Sequence, residues 1–464
     1  MSNQEGSATT MTALPGGGAP TGTAKRPPRP PRAALPALCA TQITGWGVVY
    51  YAFPVLLPHL TADTGWSTSA ATAAFSVALL VSALAGIPVG RILDRRGPRA
   101  VMTTGSLIAV VSILLIAAAP NVYVFIAAWV VAGVGMAATF YQPAFAAVTR
   151  WWGSGRVRAL TIVTLAGGLA STVFAPLTAV LADHLGWRTT YVVLAVILAA
   201  VTIPAHSFAL RAPWPAASPP DESAGGPTDG PAEESAEGPT AGRTPVARSR
   251  PFLVLTLAFA LSGFAMHAVV IGLVPLLIER GAAATTAAWA LGLGGAGQTL
   301  GRTLYATLAR RTGVTTRTTV LIAAGGATTA ALALVPGPVP LLILLAVLAG
   351  VVRGNLTLLQ ATAVAERWGT GDYARLSALL AAPATVAGAL APWAGAALAP
   401  TLGGYPALFA VLAAASLAAA AAAALGAAAG TRACALTGVP AFLRTAGRWR
   451  PRSADRFCDG GRHK

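Results

Sequence analysis

Charge and cysteine are scarce in this sequence. Only 10% of its 464 residues are charged, whereas 55% are hydrophobic, and the mean hydropathy is +0.66. Soluble proteins carry about 25% charged residues, so this composition is typical of a chain that folds in lipid. The three cysteines, Cys39, Cys434 and Cys458, are an odd number and lie far apart. They predict neither a disulfide framework nor a zinc site.

Acidic residues are also few, and the formal net charge is +17. Such an excess can indicate a nucleic-acid partner, but here the arginines cluster in alternate loops between apolar windows. By the positive-inside rule these loops face the cytoplasm, and an even number of spans places both termini there. We therefore expect a multi-pass protein of the cell membrane, in contact with lipid and with no nucleic-acid partner. The clustered arginines are Arg91, Arg95, Arg96, Arg99, Arg150, Arg156, Arg158, Arg310, Arg311 and Arg317.

Twelve apolar windows are long enough to cross a bilayer as helices, which takes about 20 residues. Strands of a membrane barrel alternate apolar and polar residues, whereas these windows are continuously apolar and rich in Ala, Leu and Gly. The sequence predicts an all-α membrane protein with twelve transmembrane helices in two six-helix bundles. The windows are 34–59, 68–90, 100–118, 122–148, 159–182, 189–210, 252–278, 284–307, 318–336, 339–363, 375–399 and 404–428.

A stretch dense in Pro, Gly, Ser, Asp and Glu separates the first six windows from the last six. This composition buries too little apolar area to fold, so we expect residues 212–251 to be a disordered cytoplasmic linker. The linker divides the chain into a first bundle at 34–211 and a second at 252–428. A disordered cytoplasmic tail at 1–33 and a basic cytoplasmic tail at 429–464 complete the predicted organisation.

The two predicted bundles repeat each other. Window 4 leads into Trp152-Gly-Ser-Gly and window 10 leads into Trp368-Gly-Thr-Gly, and an Ala-Pro pair follows each at the same spacing. The pattern Gly-x-x-x-Gly-Arg ends at Arg91 in window 2 and at Arg302 in window 8. Repeated halves are a common plan of secondary transporters, whose substrate site lies near the midplane between them.

A basic loop with regularly spaced glycines follows window 2. It resembles the loop 2–3 signature of the major facilitator superfamily, Gly-x-x-x-Asp-Arg-x-Gly-Arg. A lone Asp among arginines suits a breakable ion pair, and in that family it packs against a neighbouring helix end when the cytoplasmic side is closed. The alternative is a basic loop that only sets topology. The candidate gating residues are Gly86, Gly90, Arg91, Asp94, Arg95, Gly97 and Arg99.

A narrower resemblance is to the monocarboxylate-porter-like branch of that superfamily. It rests on Thr44-Gly-Trp-Gly in window 1, on Gly133-x-Gly-Met and Tyr141-Gln-Pro in window 4, and on Trp151-Trp with the arginines after it. It covers mainly residues 40–190 and window 8. The branch often has an acidic residue where Thr44 stands, so the resemblance implies no carboxylate role in window 1.

Three ionisable residues, Arg302, Arg353 and His267, lie inside apolar windows. An arginine at the bilayer centre costs about 2.5 to 3.5 kcal/mol on insertion scales, so such residues are functional candidates. Helical spacing gives each arginine two polar neighbours on its own face. These faces are Gln298, Arg302 and Tyr305 in window 8, and Arg353, Thr357 and Gln360 in window 10.

The branch resemblance implies a role for Arg302, because there an arginine of helix 8 binds the substrate carboxylate. Gln298 stands where an acidic residue can occur. The competing interpretation is that Arg302 repeats Arg91 as a gating residue. Arg353 is a candidate either for substrate contact or for bonds to helix carbonyls. His267 is a candidate proton relay, with simple packing as the other interpretation.

Aromatic and polar side chains share a face in window 1 and recur in window 4. Gln42, Trp46 and Tyr50 are spaced by one helical turn, and Tyr141 with Gln142 offers further polar atoms. In the superfamily, helices 1, 4, 7 and 10 line a central cavity. The resemblance therefore implies that Trp46, Tyr50, Tyr141 and Gln142 bind substrate, with ordinary packing as the alternative.

Two buried arginines without a buried acidic residue favour an anion. We expect a secondary transporter that moves a small organic anion, with monocarboxylates as the leading class, by alternating access. The alternatives are a drug or metabolite exporter of the same superfamily and a non-transporting membrane sensor. A proton is a candidate co-substrate. No nucleophile elbow, phosphate loop or metal-ligand spacing occurs, so the sequence predicts no enzyme, cofactor or metal site, and no pattern specifies an oligomeric state.

Overall fold

A computed structural model describes residues 31–214, 246–368 and 373–436 of the chain. Most of the predicted N-terminal tail, linker and C-terminal tail lies outside these residues. The described parts are helical and contain no strand. Several helix ends differ from the predicted windows: for example, one helix begins at Arg250, inside the predicted linker, and the last helix continues to Leu436, past the predicted end at 428.

Nine helical stretches in the described residues are long and apolar enough to cross a membrane. Two of them each reverse direction at a left-handed glycine, Gly97 (φ 75°) or Gly186 (φ 73°), and therefore form two spans each. A further helix, Ala284–Arg311, is less apolar but packs along Val339–Trp368. Together these stretches give the twelve spans that the sequence predicts.

The twelve spans are numbered in chain order. Spans 1 to 6 form the first half of the molecule and spans 7 to 12 the second half. Their bounds are Ala34–Thr64 for span 1, Thr68–Ala118 for spans 2 and 3, Val122–Trp152 for span 4, Arg156–Ala209 for spans 5 and 6, Arg250–Glu279 for span 7, Ala284–Arg311 for span 8, Val314–Leu334 for span 9, Val339–Trp368 for span 10, Tyr373–Leu402 for span 11 and Tyr405–Leu436 for span 12.

Local sequence sets where several spans begin and bend. Ser67 caps span 2 by accepting a hydrogen bond from the Ala70 amide at 3.1 Å, and Asn121 caps span 4 in the same way. Span 4 is broken at Phe140, three residues before Pro143. Proline lacks an amide hydrogen and its ring crowds the carbonyl four residues earlier, so the helix ends at Thr139 and restarts at Tyr141.

Span 1 contains a π-helical turn at Trp46–Tyr51. An α-helix has about 3.6 residues per turn, whereas a π-turn closes a wider ring by bonding residue i to i+5. Residues 46, 50 and 51 consequently fall on one side of the helix. The predicted regular α-helix in window 1 would have turned Tyr51 away from Trp46.

Glycines bring spans 8 and 10 into close backbone contact. A Cβ atom on Gly350 would lie 2.0 Å from the Gly294 carbonyl oxygen, and one on Gly301 would lie 2.0 Å from the Val351 carbonyl oxygen. Lipid gives no hydrophobic drive to helix association, so small residues that permit close approach stabilise such pairs. This contact holds Gln298 of span 8 beside Arg353 of span 10.

The two halves are joined mainly at one face of the molecule. We call the face with the loops after spans 2, 4 and 8 the arginine-rich face, and the other the opposite face. Toward the opposite face, the Thr285 hydroxyl of span 8 donates to Asp183 of span 5 at 2.6 Å, and the Thr172 hydroxyl of span 5 donates to the Gly292 carbonyl at 2.9 Å. Both contacts link the first half to the second.

Candidate functional site

A cavity of about 260 Å³ lies between the halves, at the middle of the spans. Spans 1, 4, 7 and 10 line it, as the superfamily resemblance implies, and spans 5 and 8 contribute as well. Seven of its polar or charged lining residues belong to the second half. They are Ser262 and His267 of span 7, Gln298 and Arg302 of span 8, and Arg353, Thr357 and Gln360 of span 10.

Arg353 is a buried cation at the wall of this cavity, with 8% of its surface exposed. Its Nε atom donates a hydrogen bond to Gln298 Oε1 at 3.0 Å. Tyr50 and Tyr51 of span 1 lie close enough to interact electrostatically with it. A guanidinium has five N–H donors, so the Gln298 bond leaves donors for a ligand. Arg353 is thus held in place from within its own half.

Arg302 is held differently, because its guanidinium reaches across to the first half. One terminal nitrogen donates to the backbone carbonyl of Thr164 in span 5. Tyr141 of span 4 lines the cavity beside the same side chain. Gly168 makes room for it: a Cβ there would lie 3.0 Å from Arg302 Nη1. Arg302 Nε is buried without a partner among the described residues.

The cavity wall has an uncompensated positive charge. Arg302 and Arg353 both line it, and no Asp or Glu does. In the parts of the chain that the structure describes, neither arginine forms a salt bridge. An unpaired buried charge is costly in a low-dielectric interior. This arrangement is suited to a ligand that brings negative charge.

Aromatic rings from spans 1 and 4 form the facing wall. The Trp46 ring stacks on Phe140 at a centroid distance of 4.2 Å and lies 5.1 Å from Tyr141. Its indole nitrogen donates to Gln42 Oε1 at 3.2 Å, and Gln42 in turn donates to the Thr139 carbonyl at 2.8 Å. The Thr139 carbonyl, which loses its helical partner at the break in span 4, is therefore hydrogen-bonded by Gln42. The same glutamine fixes the Trp46 indole at the cavity edge.

Six of the seven predicted substrate-binding residues line the cavity, and so does the predicted proton-relay residue His267. Gln142 does not: it is exposed, and its Oε1 would lie 2.7 Å from a Cβ on Gly86 of span 2. The break at Phe140 starts a new helix whose first residue, Tyr141, faces the cavity, and the next side chain points about 100° away. The six residues that line it are Trp46, Tyr50, Tyr141, Gln298, Arg302 and Arg353.

Two further predictions from helical spacing have different outcomes. Thr357 and Gln360 line the cavity with Arg353, as expected for one face of span 10. Tyr305 does not share the cavity with Arg302, because its hydroxyl pairs with the Thr362 hydroxyl of span 10 at 2.8 Å. Span 8 packs against span 10 at this level, which covers Tyr305.

His267 lies in the cavity wall on span 7. Its Nδ1 atom is 2.8 Å from the Gly263 carbonyl, one turn earlier on the same helix. The ring packs so closely on span 11 that a Cβ on Gly388 would lie 2.9 Å from it. Only its cavity-facing edge is therefore available to a ligand.

Tyr51 is a lining residue that the sequence did not reveal. It lies outside the face that α-helical spacing predicts, and only the π-turn brings it to the cavity. Two aromatic residues in succession, Tyr50-Tyr51, are the one signal that could have suggested it.

Comparison with known proteins decides the family. The family model for the Major Facilitator Superfamily matches residues 38–345, about two thirds of the chain. The chain belongs to the Major Facilitator Superfamily. Members of this superfamily are transporters of small molecules, and the spans described above make this chain a multi-pass membrane protein.

Similarity to individual relatives is confined to part of the sequence. The chain is 28% identical over 139 residues to an uncharacterized transporter of this superfamily, YcxA of Bacillus subtilis, and 28% identical over 154 residues to monocarboxylate transporter 13 of Bos taurus. These segments cover 30% and 33% of this chain, and about a third of the length of each relative (34%). They are consistent with the resemblance to the monocarboxylate-porter-like branch.

The fold is shared with solved transporters. A bacterial homologue of the human lysosomal transporter Spinster, in an inward-facing and occupied conformation, superposes with a TM-score of 0.62. The superposition covers 85% of this chain and 94% of that one, at 14% sequence identity. This likeness is one of fold, and it supports the superfamily's all-helical architecture here.

The superfamily's loop 2–3 signature lies at the arginine-rich face. Asp94 accepts a hydrogen bond from Arg150, at the end of span 4, at 2.6 Å. The Trp214 indole donates to the Asp94 carbonyl at 3.1 Å, and Arg150 lies 4.5 Å over the Trp214 ring. Left-handed Gly97 packs against the same tryptophan. The signature is therefore tied to spans 4 and 6 of its own half.

The remaining residues of the loop are less closely packed. Gly86 faces Gln142, whereas a Cβ on Gly90 would meet nothing within 4 Å. Arg99 donates to the Ser207 carbonyl at 3.0 Å at the end of span 6. The exposed members are Arg91, Arg95, Arg96 and Arg99.

Proposed function

We propose that this transporter carries a small organic anion through the cell membrane by alternating access, with Arg302 binding the acidic group. The observation that carries this proposal is the pair of arginines, Arg302 and Arg353, in the wall of one cavity that no acidic side chain lines. A fixed, planar guanidinium binds a carboxylate through two parallel hydrogen bonds. We also propose that both termini and the arginine-rich face lie on the cytoplasmic side of the membrane.

The position of Arg302 supports substrate binding over a gating role. Its counterpart in the sequence repeat, Arg91, is exposed at the end of span 2, whereas Arg302 lies in the cavity beside Tyr141. The partial similarity to a protein named monocarboxylate transporter 13 also favours an organic acid. Monocarboxylates are accordingly the first class to test.

Cavity size favours a small metabolite over a drug. Sites for drug-sized ligands occupy about 300 to 1,000 Å³, which exceeds the 260 Å³ found here. An exporter of cationic drugs would also have to place a cation against two arginines, at a large electrostatic cost. The exporter is therefore the second candidate, with small anionic metabolites as its cargo.

The proposal is tested in liposomes that contain the purified full-length protein. Uptake of labelled lactate and pyruvate is measured with and without an imposed pH gradient. We expect uptake by the wild type and loss of at least about nine tenths of it in Arg302→Lys, because a lysine ammonium cannot reproduce the bidentate contact. A response to the gradient that disappears in His267→Gln would assign the proton relay to that residue.

Arg310→Lys is the matched control, since Arg310 is exposed on the same span and, among the described residues, donates to the nearby Thr307 hydroxyl at 3.2 Å. It should transport like the wild type. Equal uptake by Arg302→Lys and the wild type would remove Arg302 from the substrate site. Absence of lactate and pyruvate uptake by folded protein would overturn the monocarboxylate and favour the exporter of another anionic metabolite.

A further inference from the structure

The cavity has one more cation than a monocarboxylate needs. Arg302 is sufficient to bind one carboxylate, yet Arg353 lines the same cavity and is 8% exposed. Burying a second unpaired guanidinium is costly unless a ligand or a protein group balances it. The described residues supply no such acid, because Thr44 and Gln298 stand where an acidic residue would be expected from the resemblance.

The two guanidinium groups are also separated in space. Arg353 is bonded to Gln298, and Arg302 lies one turn further along span 8, about 6 Å in axial rise. The Arg302 guanidinium donates to a different partner, the Thr164 carbonyl in the first half. One compact anionic group could not approach both cations with good hydrogen-bond geometry, whereas two groups on a short chain could.

From this geometry we propose that the substrate is a short dicarboxylate, with one carboxylate bound by Arg302 and the second by Arg353. The inference rests on the proposed function and narrows its substrate class. Gln298 is a positioning residue in this scheme: its Oε1 accepts from Arg353 Nε, which leaves the terminal nitrogens of Arg353 as donors for the ligand. A glutamate there would neutralise Arg353, and the neutral amide leaves its charge available to the ligand.

The cavity also accommodates the chain between the two acids. Trp46 and Tyr141 form one wall and Leu356 of span 10 another, so a chain of two or three carbons would meet mostly apolar or aromatic surface. Thr357 and Gln360, one and two turns after Arg353, provide hydrogen-bonding groups for a hydroxyl on that chain. A hydroxylated C4 dicarboxylate satisfies all of these groups.

Malate and lactate are the probes for this proposal, because malate is lactate with a second carboxylate in place of one methyl hydrogen. The thermal unfolding midpoint of the purified full-length protein is titrated with each, since a ligand stabilises the folded state according to its dissociation constant. Malate should bind at least about tenfold more tightly, the factor expected for one added charge-assisted pair. Glycerol 3-phosphate, a dianion with both charges on one group, should bind more weakly than malate.

Two variants test the assignment of the second carboxylate. In Arg353→Gln the ratio of malate to lactate affinity should fall to about one, and in Arg353→Lys, which retains a charge, part of the preference should return. Equal binding of lactate and malate by the wild type would overturn the dicarboxylate and leave the anion transporter standing. Equal binding of glycerol 3-phosphate and malate would overturn the two-site geometry. No stabilisation by any of the three probes would overturn both proposals.

Discussion

Single residues around Arg302 determine how its guanidinium is presented. Gly168 of span 5 faces it, and a Cβ there would lie 2.6 Å from Thr299 Oγ1 and 3.0 Å from Arg302 Nη1. We expect Gly168→Ala to displace the guanidinium and to weaken anion affinity about tenfold without removing any polar group. The measurement is the concentration of unlabelled acid that halves uptake into liposomes.

The control for this prediction removes one of the two close contacts and keeps the added methyl group. Among the described residues Thr299 donates to the Gly295 carbonyl of its own helix, at 3.3 Å, so Thr299→Ala alone should have little effect. In the double variant Gly168→Ala, Thr299→Ala, the contact with Thr299 Oγ1 is gone and the contact with Arg302 Nη1 remains, so affinity should stay close to that of Gly168→Ala. Recovery to the wild-type affinity would mean that the methyl group acts through Thr299 rather than through Arg302.

The sequence predicted most of the cavity residues because charge inside an apolar window is informative on its own. Arg302, Arg353 and His267 were identified by the cost of burial, and all three line the cavity. Gln142 was predicted to line the cavity and does not, and Tyr51 was missed, because their directions depend on a helix break and a π-turn. Periodicity assumes a regular helix and cannot register such local changes.

At the scale of helices, the close contact of spans 8 and 10 depends on glycine. We expect Gly350→Ala to destabilise the protein by about 3 kcal/mol or more, because the new Cβ would lie 2.0 Å from a backbone oxygen, which has little freedom to move. Thermal unfolding in detergent measures the effect. Gly313→Ala is the matched control, since nothing lies within 4 Å of its Cβ position and its φ is negative. Equal midpoints for the two variants would contradict the tight packing.

The number of helices was predictable from hydropathy, but their ends were less so. Span 2 continues past the predicted end at 90 to the turn at Gly97, because the arginines that follow are helix formers and lie outside the apolar core. Span 8 illustrates the reverse case: its glycines and polar residues lower its apolarity, yet tertiary packing against span 10 keeps it helical. Composition therefore predicts helices that face lipid better than helices that pack mainly against protein.

At the scale of the whole molecule, the contacts between halves determine which face is closed. Thr285→Val removes the hydrogen bond to Asp183 and keeps the side-chain volume. We expect it to increase the population opened at the opposite face by about fivefold, as for the loss of one hydrogen bond of about 1 kcal/mol. Spin labels at positions 123 and 334, two exposed sites on that face, report the distance between halves.

Thr285→Ser is the control, because it retains the hydroxyl that donates to Asp183. Its distance distribution should match that of the wild type. All measurements require a background in which the three native cysteines are replaced by serine. An unchanged distribution in Thr285→Val would show that the Thr172 contact and backbone packing are sufficient to keep this face closed.

The contact of Arg302 with the Thr164 carbonyl has a kinetic consequence. In the empty transporter this bond joins the two halves at mid-membrane, and an acid that engages the guanidinium competes with it. The loaded protein would therefore have one fewer tether to break as its halves reorient, and the empty protein would return more slowly. Such a carrier favours exchange over net flux, so acid placed inside liposomes should accelerate the entry of labelled acid from outside.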